Sequence, residues 1–276
     1  MLSVALPAVQ PVLLEPYARL NDARINESSG LARSRTREGT YWTHNDSADE
    51  PRIFAVTSAG ELVGVPITVT AATNVDWEDI AVDPAGNLVV GDVGNNFNAR
   101  KDLCIYVVPE PDPRQDVRTA PARRIPVRYA DQDGVPPRLF NFDCEAVFCA
   151  HGAVYFLTKN RSDTNTSLYR LEARDLYAQD QDARVLRRIG TFAIGGMVTG
   201  ADAAADGYRL AVLTYTSIWL FETEGGEEYF QGRIRWLPIR AGQCEGICLD
   251  EDSLLLSNER GELFRVPLTA LLPVRD

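Results

Sequence analysis

The run Asp76-Trp77-Glu78-Asp79-Ile80-Ala81-Val82, answered by Leu88-Val89-Val90-Gly91-Asp92-Val93-Gly94-Asn95-Asn96, decides the fold. An apolar stretch of strand length opens on an acid and an acidic neighbour, and a second apolar stretch follows about ten residues later. The same phrase, a polar residue, a small or acidic one and then an apolar run, recurs at Ser29-Gly30-Leu31, Glu145-Ala146-Val147, Thr199-Gly200-Ala201 and Glu245-Gly246-Ile247. Its five starts, at Ser29, Glu78, Glu145, Thr199 and Glu245, lie 49, 67, 54 and 46 residues apart. Each is followed by a second strand (41–43, 88–90, 154–157, 210–213, 254–256), a third (53–56, 105–108, 168–171, 218–221, 263–266) and in most units a fourth (62–69, 124–129, 185–192, 233–239). Four strands per repeat of this length form the blade of a β-propeller.

The expected fold is therefore all-β, a five-bladed β-propeller in one domain over residues 1–276. Pro66, Pro126 and Pro238 fall in fourth strands, which fits the outer edge of a blade, because proline removes a ladder donor that a central strand needs. The long second interval contains 109–122, with four prolines, and reads as an insertion rather than a sixth blade. The last unit runs out after its third strand, and the N-terminal segment 11–20, with its own Pro16, is expected to complete it.

In such an architecture the first strand of every blade starts beside the axis, so Ser29, Glu78, Glu145, Thr199 and Glu245 should converge. Three carboxylates about 5 Å apart repel by roughly 3 kcal/mol per pair at an effective dielectric near 20. Protons or a cation must compensate, and a cation is the simpler solution. A ring of oxygen donors alone selects a hard ion, Ca²⁺ rather than the smaller octahedral Mg²⁺. The turns after the second strands should surround the same mouth. They bring Asp46, Asp92 and Glu259 as candidates for orienting or deprotonating a water, and Asn45, Asn95, Asn96, Lys159, Arg161 and Arg260 as candidates for binding an anionic substrate. Neither a Walker loop nor GxSxG is present, and no serine-hydrolase order is legible.

Composition bounds the partners. With 28 Lys+Arg against 39 Asp+Glu, net charge −11 and pI near 4.8, the chain is not built for nucleic acid, and a small anionic ligand or a protein partner fits better. No apolar run is long enough to span a membrane. The first twenty residues lack the pattern of a secretory leader, and the five cysteines form no CxxC pair, which leans towards a reducing, cytoplasmic compartment.

The ring order hydroxyl, Glu, Glu, hydroxyl, Glu resembles that of the calcium-activated nucleotidases, or soluble apyrases, which are five-bladed propellers with a central Ca²⁺. The phrases Glu27-Ser28-Ser29-Gly30-Leu31, Trp77-Glu78-Asp79-Ile80-Ala81-Val82-Asp83, Val90-Gly91-Asp92-Val93-Gly94 and Cys244-Glu245-Gly246-Ile247 are similar as well. The chain departs from that pattern at Thr199, where the family has Ser, and at His44-Asn45-Asp46-Ser47, which is poorer in arginine and acid pairs. Other phrases are similar to bacterial propellers of the esterase-like, phytase-like and lactonase groups. The resemblance implies a Ca²⁺-dependent hydrolase of a phosphorylated or other anionic small molecule. Two alternatives stay open: a non-catalytic, Ca²⁺-stabilised propeller binding a protein, peptide or glycan, and a lactonase or esterase.

Overall fold

The computed structural model describes residues 4–178 and 182–275. The chain is all-β, with one short helix, Ala173–Leu176, and two single turns of 3-10 helix among the described residues. Five antiparallel strand groups follow one another. Their first strands are Ser28–Arg33, Trp77–Val82, Cys144–Ala150, Val198–Ala203 and Cys244–Asp250, and all are almost wholly buried. Each of these inner strands contacts the next, and the fifth returns to the first, so they close a ring. Burial on both faces explains why they read as continuous apolar runs rather than alternating ones.

The second strands, Tyr41–Asn45, Asn87–Asp92, Ala153–Thr158, Arg209–Thr214 and Ser253–Asn258, pair antiparallel with the inner ones. The third strands, Arg52–Val56, Cys104–Pro109, Thr166–Leu171, Ser217–Glu222 and Glu262–Pro267, follow in the same sense. Large apolar side chains fill the wedges between groups. One wedge between the third and fourth groups stacks Phe148 on Tyr155 and sets Phe192 edge-on to Trp219 and Phe221.

The outer strands differ from group to group. Ile67–Thr70 ends the first group and is extended in parallel by Thr119–Pro121, so the proline-rich segment read as an insertion supplies a strand to its neighbour's edge. Arg123–Tyr129 pairs with Cys104–Pro109 and then, past Pro126, runs parallel to Arg184–Phe192 of the third group. The two groups thus form one eight-stranded sheet, whose end strands Trp77–Val82 and Cys144–Ala150 touch, leaving it nearly closed on itself. Arg233–Arg240 of the fourth group is flanked by Val12–Leu13 and by Leu272–Arg275.

The N-terminal segment splits between two groups: Val12–Leu13 lies on the fourth, and Ala18–Arg19 pairs antiparallel with Glu262–Pro267 of the last. Pro16 falls in the crossing, and the hydrogen bond from Tyr17 N–H to Leu263 O opens the second pairing.

One buried carboxyl stitches the ring. Asp79 accepts hydrogen bonds from Ile80 N–H (2.8 Å), Val147 N–H (3.0 Å) and Ala201 N–H (3.3 Å), so a single side chain binds inner strands of three groups. Burial drives its pKa well above the usual carboxylate range, and the three donors oppose that shift.

Candidate metal centre at the upper mouth

Every inner strand carries a register shift at or just after the recurring polar residue: at Glu78 between Trp77 and Asp79, at Glu145 between Cys144 and Ala146, at Thr199 between Val198 and Gly200, at Glu245 between Cys244 and Gly246, and in the first strand between Ser29, itself paired with His44, and Ala32. A bulge adds an unpaired residue and re-aims its side chain. The repeated phrase is therefore a bulge signature, and its small second member has a steric cause at two of the repeats. A Cβ on Gly200 would lie 2.3 Å from Glu245 O, and one on Gly246 would lie 2.3 Å from Ser257 Oγ and 2.9 Å from Leu31 Cβ. Neighbouring inner strands approach too closely there for anything larger.

The five ring residues are all buried, and Glu78, Glu145 and Glu245 are only 5%, 3% and 6% exposed. Carboxylate oxygens of Glu78, Asp143 and Glu145 lie within 4.8 Å of one another, and Glu78 also belongs to a second such group with Asp46 and Asp76. Gly94 makes room for the second group, since a Cβ there would stand 2.0 Å from Glu78 Oε1 and 2.5 Å from Asp76 Oδ2. Ser29 and Thr199 behave differently. Ser29 Oγ donates to Glu78 O at 2.7 Å and Thr199 Oγ1 to Cys244 O at 2.8 Å, each tying its strand to the next.

Two cations enter the cluster. Lys159 Nζ donates to Glu145 Oε2 (2.9 Å) and to Tyr215 Oη (3.1 Å), and Tyr215 Oη donates to Glu245 Oε1 (3.4 Å). Arg161 donates to Asp143 Oδ2 (2.7 Å) and also to Asn96 Oδ1. Asn95 N–H donates to the other Asp143 oxygen at 2.6 Å. Glu245 Oε2, though buried, has no hydrogen-bond partner.

The electrostatics follow from burial with like charges. Burial, then the charge of Asp143, raises Glu145 to about 8, against the opposing effect of Lys159. Burial and Asp46 raise Glu245 to about 7. Glu78 is pushed well up by burial and then by Glu145 and Asp46, and Asp76 reaches about 6 by burial and Asp46. Asp46, half-buried at the mouth, is raised chiefly by burial. Without a bound cation these acids would hold protons among themselves. Glu78, Asp143 and Glu145 form a buried acidic cluster that could hold a metal ion.

The remaining candidates occupy varied places. Asp92 accepts Asp76 N–H (3.1 Å) and pairs with Arg100 (2.9 Å), which fixes the loop carrying Gly94. Asn45 is taken up locally: Nδ2 donates to Arg24 O and Asp49 Oδ2, and Oδ1 accepts Asn26 N–H. Asn95 is buried, its side chain bonded to Phe142 O and Arg100 N–H. Glu259 accepts from Gln243 at 2.8 Å, and Arg260 is exposed at the neighbouring turn.

Asp143, Asp76 and Tyr215 were not among the candidates. Two of them carried a signal: Asp76-x-Glu78 and Asp143-x-Glu145 repeat one spacing, an acid just ahead of the inner strand and a second at its bulge.

No protein-family model matches the chain, and no curated protein matches it in sequence. Among solved structures it is similar to a gluconolactonase from Xanthomonas campestris, with TM-score 0.48 and 15% identity over 96% of this chain and 99% of that one. It is also similar to virginiamycin B lyase from Staphylococcus aureus, with TM-score 0.44 and 11% identity over 92% and 98% of the two chains. These neighbours are propeller-like. At such values the likeness says nothing of chemistry, and the nucleotidase resemblance rests on the sequence phrases alone. No helix among the described residues is long and apolar enough to cross a membrane.

Proposed function

We propose that the five strand groups are the blades of a five-bladed β-propeller, the last completed by Ala18–Arg19, which holds a divalent cation at its axis and hydrolyses a small anionic molecule at the upper mouth. The observation that carries this reading is charge. Glu78, Asp143, Glu145 and Glu245, with Asp46 and Asp76 beside Glu78, find only Lys159 and Arg161 as ion-pair partners among the described residues, an excess of negative charge in a largely buried space that a divalent ion would offset. The partnerless Glu245 Oε2 and the room left by Gly94 fit an ion, and an all-oxygen donor set favours Ca²⁺.

Glu78, Asp143, Glu145 and Glu245 would hold the cation, with the oxygens of Ser29 and Thr199 beside them. When bound, it supplies Lewis acidity to a carbonyl or phosphoryl oxygen. Lys159 and Arg161 fix the carboxylates of Glu145 and Asp143. Asp46, at the mouth and in the same acidic group as Glu78, is the residue to accept a proton from an attacking water. Arg260, exposed and with no ion pair among the described residues, offers a guanidinium to an anionic substrate.

One observation favours a second reading, a non-catalytic propeller pinned by its ion with a protein, peptide or glycan as partner. Lys159 and Arg161 are already committed to acids and are poorly free to grip a substrate. Metal analysis, followed by hydrolysis of nucleotides, sugar phosphates and lactones with Ca²⁺ or with chelator, separates the two. Chelator-sensitive turnover lost in Asp46→Asn supports the enzyme. Bound Ca²⁺ with a chelator-lowered melting point and no turnover supports the second reading, and the absence of any bound divalent ion overturns both.

A further inference from the structure

The opposite end of the axis carries a second, separate cavity. It has a volume of about 580 Å³ and opens among the far ends of the inner strands: Arg33 of the first, Val82 of the second, Ala203 of the fourth and Leu249 of the fifth. Such a volume suits a small molecule. Its lining is chemically divided. Asp202 lies in it, only partly covered, with Oδ2 accepting Leu249 N–H at 2.8 Å. Arg35 stands close enough for its charge to act on that carboxylate, and its only hydrogen bond among the described residues is a long one to Cys149 O (3.5 Å).

Arg209 lies in the same lining, and its natural cross-strand partner is taken. Glu222, directly opposite in register, pairs instead with Arg235 at 3.1 Å. No acid among the described residues therefore neutralises Arg209. Arg33, by contrast, is satisfied by Asp250 (3.3 Å) and Glu251 (3.6 Å) and adds no uncommitted charge. Two arginines without ion pairs among the described residues thus share a concave site with Asp202, while the exposed Glu38 and Glu251, the latter paired with Arg33, stand in the same lining.

We propose that this lower cavity binds a small hydroxycarboxylate, its carboxylate held by Arg35 and Arg209 and its hydroxyl donated to Asp202. Guanidinium forks match carboxylates in geometry as well as charge, and a partly buried Asp selects a ligand with a donor near its anionic end. The site is built from side chains that the upper acidic cluster does not use, so binding there does not require a metal.

Titration calorimetry of the full chain with L-malate, succinate and inorganic phosphate, in chelator, tests the assignment. Malate is expected to bind, with succinate, which lacks the hydroxyl, about tenfold weaker, the size of one lost charge-assisted hydrogen bond. Arg209→Gln and Arg35→Gln should each weaken malate about tenfold or more, and Asp202→Asn should narrow the gap between malate and succinate. Arg209 is a partly exposed strand residue, and a melting curve like the parent's establishes that its variant is folded. No heat from malate at millimolar concentration, malate affinity untouched in folded Arg209→Gln, or phosphate bound as tightly as malate would each overturn the proposal.

Discussion

The hydroxyl and carboxylate positions of the inner ring occupy the same place in their repeats and behave in opposite ways. Ser29 and Thr199 can donate a proton, and each does so to a backbone carbonyl at the start of the next inner strand. Glu78, Glu145 and Glu245 can only accept when ionised, and the ring offers them few donors: Lys159 for Glu145 and Tyr215 for Glu245. One repeat position at or beside a bulge thus yields staples where the side chain is a donor and an accumulation of negative charge where it is not. The difference teaches that the acidic cluster is a site held under electrostatic strain, whereas the hydroxyl positions are satisfied parts of the framework.

The strongest way to break this contrast is to remove the internal cation. In Lys159→Met, Glu145 keeps its burial and loses its charge partner, which should cost about 4 kcal/mol of stability in chelator, the scale of a broken buried pair. Denaturant melts with and without Ca²⁺ read it, and much of the loss should return with the ion if the axis binds one. A loss equal in both conditions would mean that Lys159 matters through packing alone.

The next effect concerns the hydroxyl side. His44 pairs with Ser29, is fully buried, packs edge-on to Trp77 at 5.6 Å, and leaves Nε2 without a hydrogen-bond partner. Burial lowers its pKa to about 4. Above pH 6.5 both folded and unfolded states are neutral there and nothing is lost. Between 6.5 and 4 the unfolded chain takes up the proton first, so stability falls as pH falls, by about 3 kcal/mol in all. Several carboxyls with raised pKa values change stability in the opposite sense, so the quantity to measure is the difference between the parent and His44→Gln across that range. Parallel pH profiles would show that His44 is not held neutral.

The smallest effect sharpens the contrast. Ser29→Ala and Thr199→Val should each lower stability by about 1 kcal/mol, the net worth of one buried hydrogen bond, and leave the response to chelator unchanged. If either variant abolished a Ca²⁺-dependent rise in melting temperature, its hydroxyl would be a metal ligand as well as a staple. Glu78→Gln should abolish that rise with little loss in chelator, since it relieves repulsion while removing a donor.

Much of this arrangement was legible beforehand. The phrase that begins each repeat marks the inner strands because a bulge beside a crowded axis needs a polar residue, a small one and then an apolar run, and those demands are local. The pairs Asp76-x-Glu78 and Asp143-x-Glu145 were readable as one repeated spacing, though only the glutamates stood out as ring members. Other features were not readable. Thr119–Pro121 lends itself in parallel to the first group, and the N-terminal segment divides between two groups, because outer edges take whatever strand the assembled surface leaves unpaired.

The amino-acid sequence by itself determined the all-β character, the recurrence of one polar position per repeat and the excess of acid, since periodicity and composition are properties of single segments. Tertiary structure alone decided that Lys159 turns inward to Glu145 and Tyr215, that Arg100 rather than a substrate engages Asp92, and that Arg209 loses Glu222 to Arg235. Long charged side chains reach many partners at similar cost, and only the assembled strands determine which opposite charge lies near enough and dry enough to win.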